Sequence, residues 1–224
     1  MEQQVNNTIK PSLLGIITSP VETLDRIRQN PKVLIPLLFV TILAVISTVL
    51  GTANIDFVEM GLNQGLSKQE AEMMAGFTKV FVIVTGIISP VFVILITSLI
   101  YLSISKIAGS YVKFKQLFSM TTYTSIIGGL GILLNAIIAY FMGTSLENVN
   151  YTSVNSLIGL EGVPGALLSY IEVFGIWGTI LLAMGLHRVA KLSKGASWTI
   201  AIIFYIIGAI FAIVGGVSQG MIGG

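Results

Sequence analysis

Glu172 is an acidic residue inside an apolar stretch of the sequence, Tyr170 to Leu186, that is long enough to belong to a membrane span. A charged carboxylate near the middle of a bilayer costs at least about 2.5 kcal/mol, so an acid in this position is a candidate functional group. Three roles stay open for it: a hydrogen bond between helices, to Asn135 or the Tyr170 hydroxyl; a substrate or proton site; or a contact between subunits. A lone acid without a second intramembrane charge is a weak sign of a transporter.

The sequence lacks the residue patterns of the common catalytic sites. It has no cysteine and one histidine, His187, which cannot supply the paired ligands of an HExxH zinc site. It contains neither a Walker phosphate loop nor a G-x-S-x-G nucleophile elbow. We therefore expect a protein that is not an enzyme and that needs no metal or cofactor.

The composition indicates an integral membrane protein, because 54% of the 224 residues are hydrophobic and only 10% are charged. The apolar residues form five runs of about 20 residues, each long enough to cross roughly 30 Å of hydrocarbon as a helix. The prediction is an all-α, polytopic bundle of five transmembrane helices at residues 33–217, after an N-terminal segment at 1–32 and before a tail at 218–224. The five runs are Val33 to Ala53, Val80 to Ile104, Leu117 to Met142, Ala166 to Leu186 and Trp198 to Val217.

The basic residues predict the orientation of this bundle. Ten of the twelve Lys and Arg residues fall before the first run, between the second and third, or between the fourth and fifth. The positive-inside rule then gives a cytoplasmic N-terminus and an external C-terminus. Basic residues next to membrane spans have lipid headgroups as their nearest partners, so the net charge of +2 does not indicate nucleic acid.

The N-terminal segment SPVETLDRIRQNP predicts a short amphipathic helix on the cytoplasmic side. Ser19 can cap the helix, Pro20 suits its first position, and Glu22 completes a capping box. Arg26 and Arg28 supply charge to the polar face. The apolar face has three possible partners, which are the membrane surface, the cytoplasmic face of the bundle and a dedicated protein partner.

Small residues repeat every four positions in two of the predicted spans. This spacing gives a helix face that a second helix can approach closely, either within one chain or in a homo-oligomer. The two stripes are Gly131, Asn135, Ala139 and Gly143 in the third span, and Gly208, Ala212, Gly216 and Gly220 in the fifth. Trp177 in the fourth span is a further predicted packing residue.

Several local motifs together resemble the Yip family of five-span membrane proteins, whose eukaryotic members interact with Ypt and Rab GTPases. They are the Ser19-Pro20 helix opening, the Asn30-Pro31 stop, Phe174-Gly175-Ile176-Trp177 in the fourth span, and Lys194-Gly195-Ala196 at the start of the fifth. The resemblance implies five helices with a cytoplasmic N-terminus. An acid at the position of Glu172 is familiar in that family, which favours an architectural role for it.

The resemblance points to a bacterial member of the family. Eukaryotic members have a long cytosolic region with an Asp-Leu-Tyr-Gly-Pro type motif, whereas this chain has about thirty residues before its first span and lacks the motif. Some bacterial relatives look like accessory partners of ABC exporters, including systems that protect against peptide toxins. We therefore predict an accessory or assembly subunit of a transport complex in the bacterial cytoplasmic membrane. The alternatives are a stand-alone permease that uses Glu172 and a trafficking factor that binds a small GTPase.

Overall fold

The computed structural model describes residues 10–145 and 150–222, with side-chain surroundings described as far as residue 214. In this part of the chain, the regular secondary structure consists of ten helices. They are α1 (Gly15–Thr18), α2 (Pro20–Gln29), α3 (Leu34–Gly51), α4 (Phe57–Asn63), α5 (Lys68–Ile107), α6 (Phe114–Phe141), α7 (Asn155–Ile158), α8 (Gly162–Tyr170), α9 (Val173–Arg188) and α10 (Lys194–Ile222).

Four of the described helices, α3, α5, α6 and α10, are long and apolar enough to cross a membrane. They coincide with the first, second, third and fifth apolar runs of the sequence. α9 is also apolar but has only 16 residues. The all-helical, multi-pass architecture predicted from the sequence is therefore present, with a difference in the fourth run.

The fourth run does not form one continuous helix as predicted. Ile171 and Glu172 have extended backbone conformations and separate α8 from α9. A break inside an apolar helix leaves backbone groups without their helical partners, and membrane proteins tolerate it only where other protein groups replace those hydrogen bonds. In this chain, the loop that precedes α8 supplies the replacements.

α6 is the central helix of the bundle, since it packs against α3, α5 and α9. Its side chains Leu117, Met120 and Ala136 are fully buried, and Ile126 is 1% exposed. α10 packs against α8 and α9 on one side, and α5 packs against α3 and α6 on the other. Tyr101 of α5 and Phe204 of α10 meet edge to face, with ring centroids 5.1 Å apart.

The N-terminal helix α2 covers the end of the bundle that carries the α5–α6 and α9–α10 loops, called here the basic end. Leu24 and Ile27 on its apolar face are fully buried among residues of α6 and α9. At the same end, the Gln116 side chain donates to the Arg28 carbonyl oxygen at 2.7 Å. Of the three partners considered for this apolar face, the bundle itself is the one seen.

The capping box predicted at the start of α2 does not form. Pro20 occupies the first turn as expected, but the Ser19 side chain makes no capping hydrogen bond. Ser19 also ends α1, and its backbone N–H donates to the Gly15 carbonyl oxygen, so its backbone conformation is set by two abutting helices. Glu22 instead pairs with Arg26 one turn along the helix.

Candidate intramembrane polar site

The break between α8 and α9 places Glu172 at the start of α9, at the end of the bundle opposite the basic end. One carboxylate oxygen, Oε2, lies 2.9 Å from the hydroxyl of Thr152, which belongs to the loop between α6 and α8. The same hydroxyl accepts a hydrogen bond of 2.8 Å from the side-chain amide of Asn135 on α6. Thr152 therefore connects the two polar residues that the sequence singled out, and among the described residues they make no direct hydrogen bond to each other.

Asn135 is only 5% exposed and uses its amide fully. Its Nδ2 group donates to the Gly131 carbonyl oxygen at 2.9 Å and to Thr152, while its Oδ1 atom accepts from the Thr152 backbone N–H at 3.2 Å. Buried amides need such partners, because an unpaired one costs about 1–3 kcal/mol. Asn135 thus fixes the loop against α6.

The loop segment 150–154 also supplies the hydrogen bonds that the helix break requires. The Val154 backbone N–H donates to the Ile171 carbonyl oxygen at 3.0 Å, and the Asn150 side chain donates to the Ser169 carbonyl oxygen at 3.3 Å. Ser153 and Glu172 form an isolated antiparallel bridge. The loop between α6 and α8 therefore enters the bundle here.

The second carboxylate oxygen of Glu172, Oε1, has no hydrogen-bond partner among the described residues. Glu172 lines a cavity of about 560 Å³ between α5, α6, α9 and α10. The rings of Tyr170 and Tyr205 also line it, with centroids 4.9 Å apart, and the Tyr205 hydroxyl donates to the Tyr170 carbonyl oxygen at 3.3 Å. The cavity thus has a carboxylate and two aromatic rings at the same end.

Two glycines of the sequence-predicted stripes lie where side chains from the broken span come closest. A Cβ atom placed on Gly131 would lie 2.7 Å from the Phe174 ring, and one placed on Gly208 would overlap the Tyr170 hydroxyl. Both contacts are within the chain. Of the other predicted packing residues, Ala139 is fully buried, and Ala212 and Trp177 are half-buried. Gly216 lies beyond the residues whose surroundings are described.

A comparison with protein-family models finds that the Yip1 domain matches residues 14–216, which include this site and all the apolar helices up to α10. The chain belongs to the Yip1 family. It is 35% identical over 221 residues to the membrane protein YknW of Bacillus subtilis strain 168, covering 96% of this chain and 94% of that protein. It is a bacterial Yip family member. No solved structure matches it.

Three residues of the site in this Yip1 domain were not found from the sequence: Thr152, Tyr205, and Thr121, which lines the cavity from α6. Thr152 stands among other Ser, Thr and Asn residues in its loop, so its type gave no signal. Tyr205 and Thr121 belong to apolar helices whose cavity-facing sides depend on how the helices pack. The cluster Gly162, Pro164 and Gly165 at the start of α8 is the one local sign that the fourth run would be irregular.

The groups at this site of the Yip1 domain are suited to binding a ligand. Within the described ranges, no group of three or more His, Cys, Asp or Glu residues is placed to hold a metal ion. His187 lies at the basic end, where its Nδ1 atom is 2.8 Å from the Leu192 carbonyl oxygen. Glu172, the hydroxyls and the aromatic rings can accept hydrogen bonds and attract positive charge.

Proposed function

We propose that this Yip1 protein is a non-enzymatic accessory or assembly subunit of a membrane transport complex in the bacterial cytoplasmic membrane. The ABC exporters of toxic peptides suggested by the family resemblance are the first partners to test. The observation that supports the proposal is the large uncovered apolar surface of α5. A subunit that binds other membrane proteins needs such a surface, whereas catalysis needs reactive groups that the described residues do not bring together.

The surface of α5 extends beyond what a lipid bilayer would cover. The helix has 40 residues and is about 60 Å long, against roughly 30 Å of hydrocarbon. In the most apolar 18-residue stretch of α5, only 11% of the residues are buried against the rest of the chain. Met73 and Phe77, which are 60% and 71% exposed, precede the predicted span that starts at Val80. A protein partner would remove these side chains from water.

The proposed topology has five crossings, with α8 and α9 together forming a discontinuous fourth one. The basic end faces the cytoplasm, so the N-terminal segment 1–32 is cytoplasmic, the membrane domain is 33–217, and the tail 218–224 is external. Residues 1–9, 223 and 224 lie outside the described part of the chain. The trafficking role has less support, because α2 buries Leu24 and Ile27 and leaves mainly its polar face for a GTPase.

Purification of the tagged protein from its native membrane in mild detergent tests the accessory role. We expect ATPase and permease subunits of one exporter to co-purify in stoichiometric amounts, identified by mass spectrometry against a similarly hydrophobic control protein. The double variant Met73→Ser, Phe77→Ser should lose them. Leu157→Ser, at an 88% exposed position in α7, is the matched control and should retain them. Recovery of the protein alone would contradict the proposal.

A permease is the second candidate, and the cavity beside Glu172 is the observation that favours it. The cavity lies between helices that cross the membrane and contains a carboxylate, as a translocation site for a cation would. The accessory role remains our conclusion, since the described residues contain no second acid or base in the cavity for a proton relay.

A further inference from the structure

We propose that the cavity between α5, α6, α9 and α10 binds an elongated organic ammonium ion, with its charged group between Glu172 and the rings of Tyr170 and Tyr205 and its apolar body directed toward Thr121. This site goes beyond the accessory role and does not depend on it. The argument rests on the free carboxylate oxygen, the aromatic rings, and the size and apolar walls of the cavity.

On the cavity side, no basic group among the described residues neutralises the Glu172 carboxylate. Its Oε2 atom accepts from Thr152, but Oε1 receives no hydrogen bond from the described residues, and no basic side chain is among the residues that line the cavity. Arg188 is at the other end of α9, about 24 Å away along a helix of 16 residues. A cationic group on a ligand would pair with the free Oε1 atom of this carboxylate.

The space next to Oε1 is kept open by Gly175. A Cβ atom placed on this residue would lie 3.4 Å from Oε1 and 3.8 Å from Cε2 of Tyr205, so it would occupy the gap between the carboxylate and the ring. Aromatic faces attract ammonium groups, and the combination of two rings with a carboxylate is the usual chemistry of amine recognition. Any side chain larger than glycine would narrow this gap.

Thr121 marks the other end of the cavity. Thr121 is only 5% exposed, and its Oγ1 atom is buried without a hydrogen-bond partner in the described structure. Thr121 is ten positions before Gly131, which contacts Phe174, so it is about 15 Å along α6 from the Glu172 end. Because the Oγ1 atom has almost no accessible surface, we use Thr121 to limit the length of the ligand and not as its hydrogen-bond partner.

These distances define the shape of the ligand. A cavity of about 560 Å³ is within the range that takes drug-sized molecules, roughly 300–1,000 Å³. The walls between the Glu172 end and the Thr121 end include Ile94, Phe174 and Leu182, so the body of the ligand is apolar. The ammonium group could belong to a free amphiphilic amine or to the headgroup of phosphatidylethanolamine, and the experiment separates these sources.

The test is a fluorescence titration of the purified full chain, in nanodiscs of phosphatidylglycerol, with dansylcadaverine. This probe has an ammonium group, a five-carbon chain, and a fluorescent group joined through a sulfonamide. We expect saturable binding that Glu172→Gln weakens by about tenfold or more and that Glu172→Asp partly retains. Glu161→Gln, an exposed acid near the same end of the bundle, should change the affinity less than twofold.

A second probe and a second variant separate the effect of the ligand's charge from the effect of the cavity's shape. The dansyl pentylamide, which lacks the ammonium group, should bind wild type and Glu172→Gln equally weakly. Gly175→Leu should abolish dansylcadaverine binding while leaving the carboxylate in place. Equal affinity of wild type and Glu172→Gln for the charged probe would overturn the proposal, as would unchanged binding to Gly175→Leu.

The source of the ammonium group is read from the lipid composition. If phosphatidylethanolamine added to the nanodiscs displaces the probe from wild type, the resident ligand is a lipid headgroup. If it does not, the site takes free amphiphilic amines. Both results retain the ammonium site, whereas binding of the probe to empty nanodiscs and to protein-containing nanodiscs in equal amounts would contradict it.

Discussion

At the scale of single residues, Thr152 links three parts of the structure through one hydroxyl group. Its hydroxyl lies 3.0 Å from Asn150 Oδ1 and 2.9 Å from Glu172 Oε2, while it accepts from Asn135. A hydroxyl has one proton, so it donates to one of the two oxygens at a time. Through this one side chain, α6, the entering loop and the start of α9 are held together.

We expect Thr152→Val to destabilise the protein by about 1–3 kcal/mol, because it leaves the Asn135 amide and the Glu172 carboxylate without a shared partner while keeping the side-chain shape. The measurement is the thermal unfolding midpoint of the detergent-solubilised protein. Thr199→Val, at an exposed position on α10, is the matched control and should unfold within about 0.5 kcal/mol of wild type. Equal midpoints for the two variants would show that the bridge does not contribute to stability.

At the scale of the elements, α6 and α9 pack closely because glycine stands where large side chains from the partner helix meet the backbone. The Phe174 ring fits against Gly131, and the Met120 side chain fits against Gly185. The packing is reciprocal, since each helix contributes one glycine and one large side chain. Close approach through small residues is a common way for membrane helices to associate.

The matched pair Gly131→Ala and Gly128→Ala tests this packing within one helix. An added Cβ at residue 131 would lie 2.7 Å from Phe174, whereas one at residue 128 meets nothing within 4 Å. We expect the first variant to lose about 1–3 kcal/mol of stability through overpacking. The second should be neutral or gain up to about 1 kcal/mol, because alanine favours helix over glycine. Unfolding midpoints that rise together would contradict the close contact at Gly131.

At the scale of the whole molecule, the charge distribution and the packing of α2 distinguish the two ends of the bundle. The basic end carries α2 and its ion pair between Arg188 and Asp25, with a distance of 3.3 Å. This pair is partly exposed, so it contributes less than about 1 kcal/mol. The buried side chains of α2, rather than its charges, hold it on the bundle.

The proposed orientation predicts which single cysteines react in intact cells, and the chain has no cysteine of its own to interfere. Leu157→Cys, in α7, should be labelled by a membrane-impermeant maleimide. Lys106→Cys, exposed at the basic end, should be labelled only after the membrane is permeabilised. The reverse pattern would place the N-terminus outside.

The sequence by itself determined the membrane character, the all-helical class and the positions of four long helices. These properties are local: a run of about 20 apolar residues forms a helix in lipid because each backbone hydrogen bond is made within the segment. The Yip family was also readable from short motifs such as Phe174 to Trp177. The family match and the fold agree with these predictions.

The tertiary structure alone decided the break at Ile171 and Glu172, the entry of the loop at Thr152 and the burial of α2. Each depends on groups distant in sequence, such as the Val154 N–H that replaces a helical donor at Ile171. Hydropathy cannot detect such a replacement, because the broken and continuous helices have the same composition. The carboxylate and the rings of the cavity come together only when four helices pack, which is why the sequence indicated Glu172 but not its surroundings.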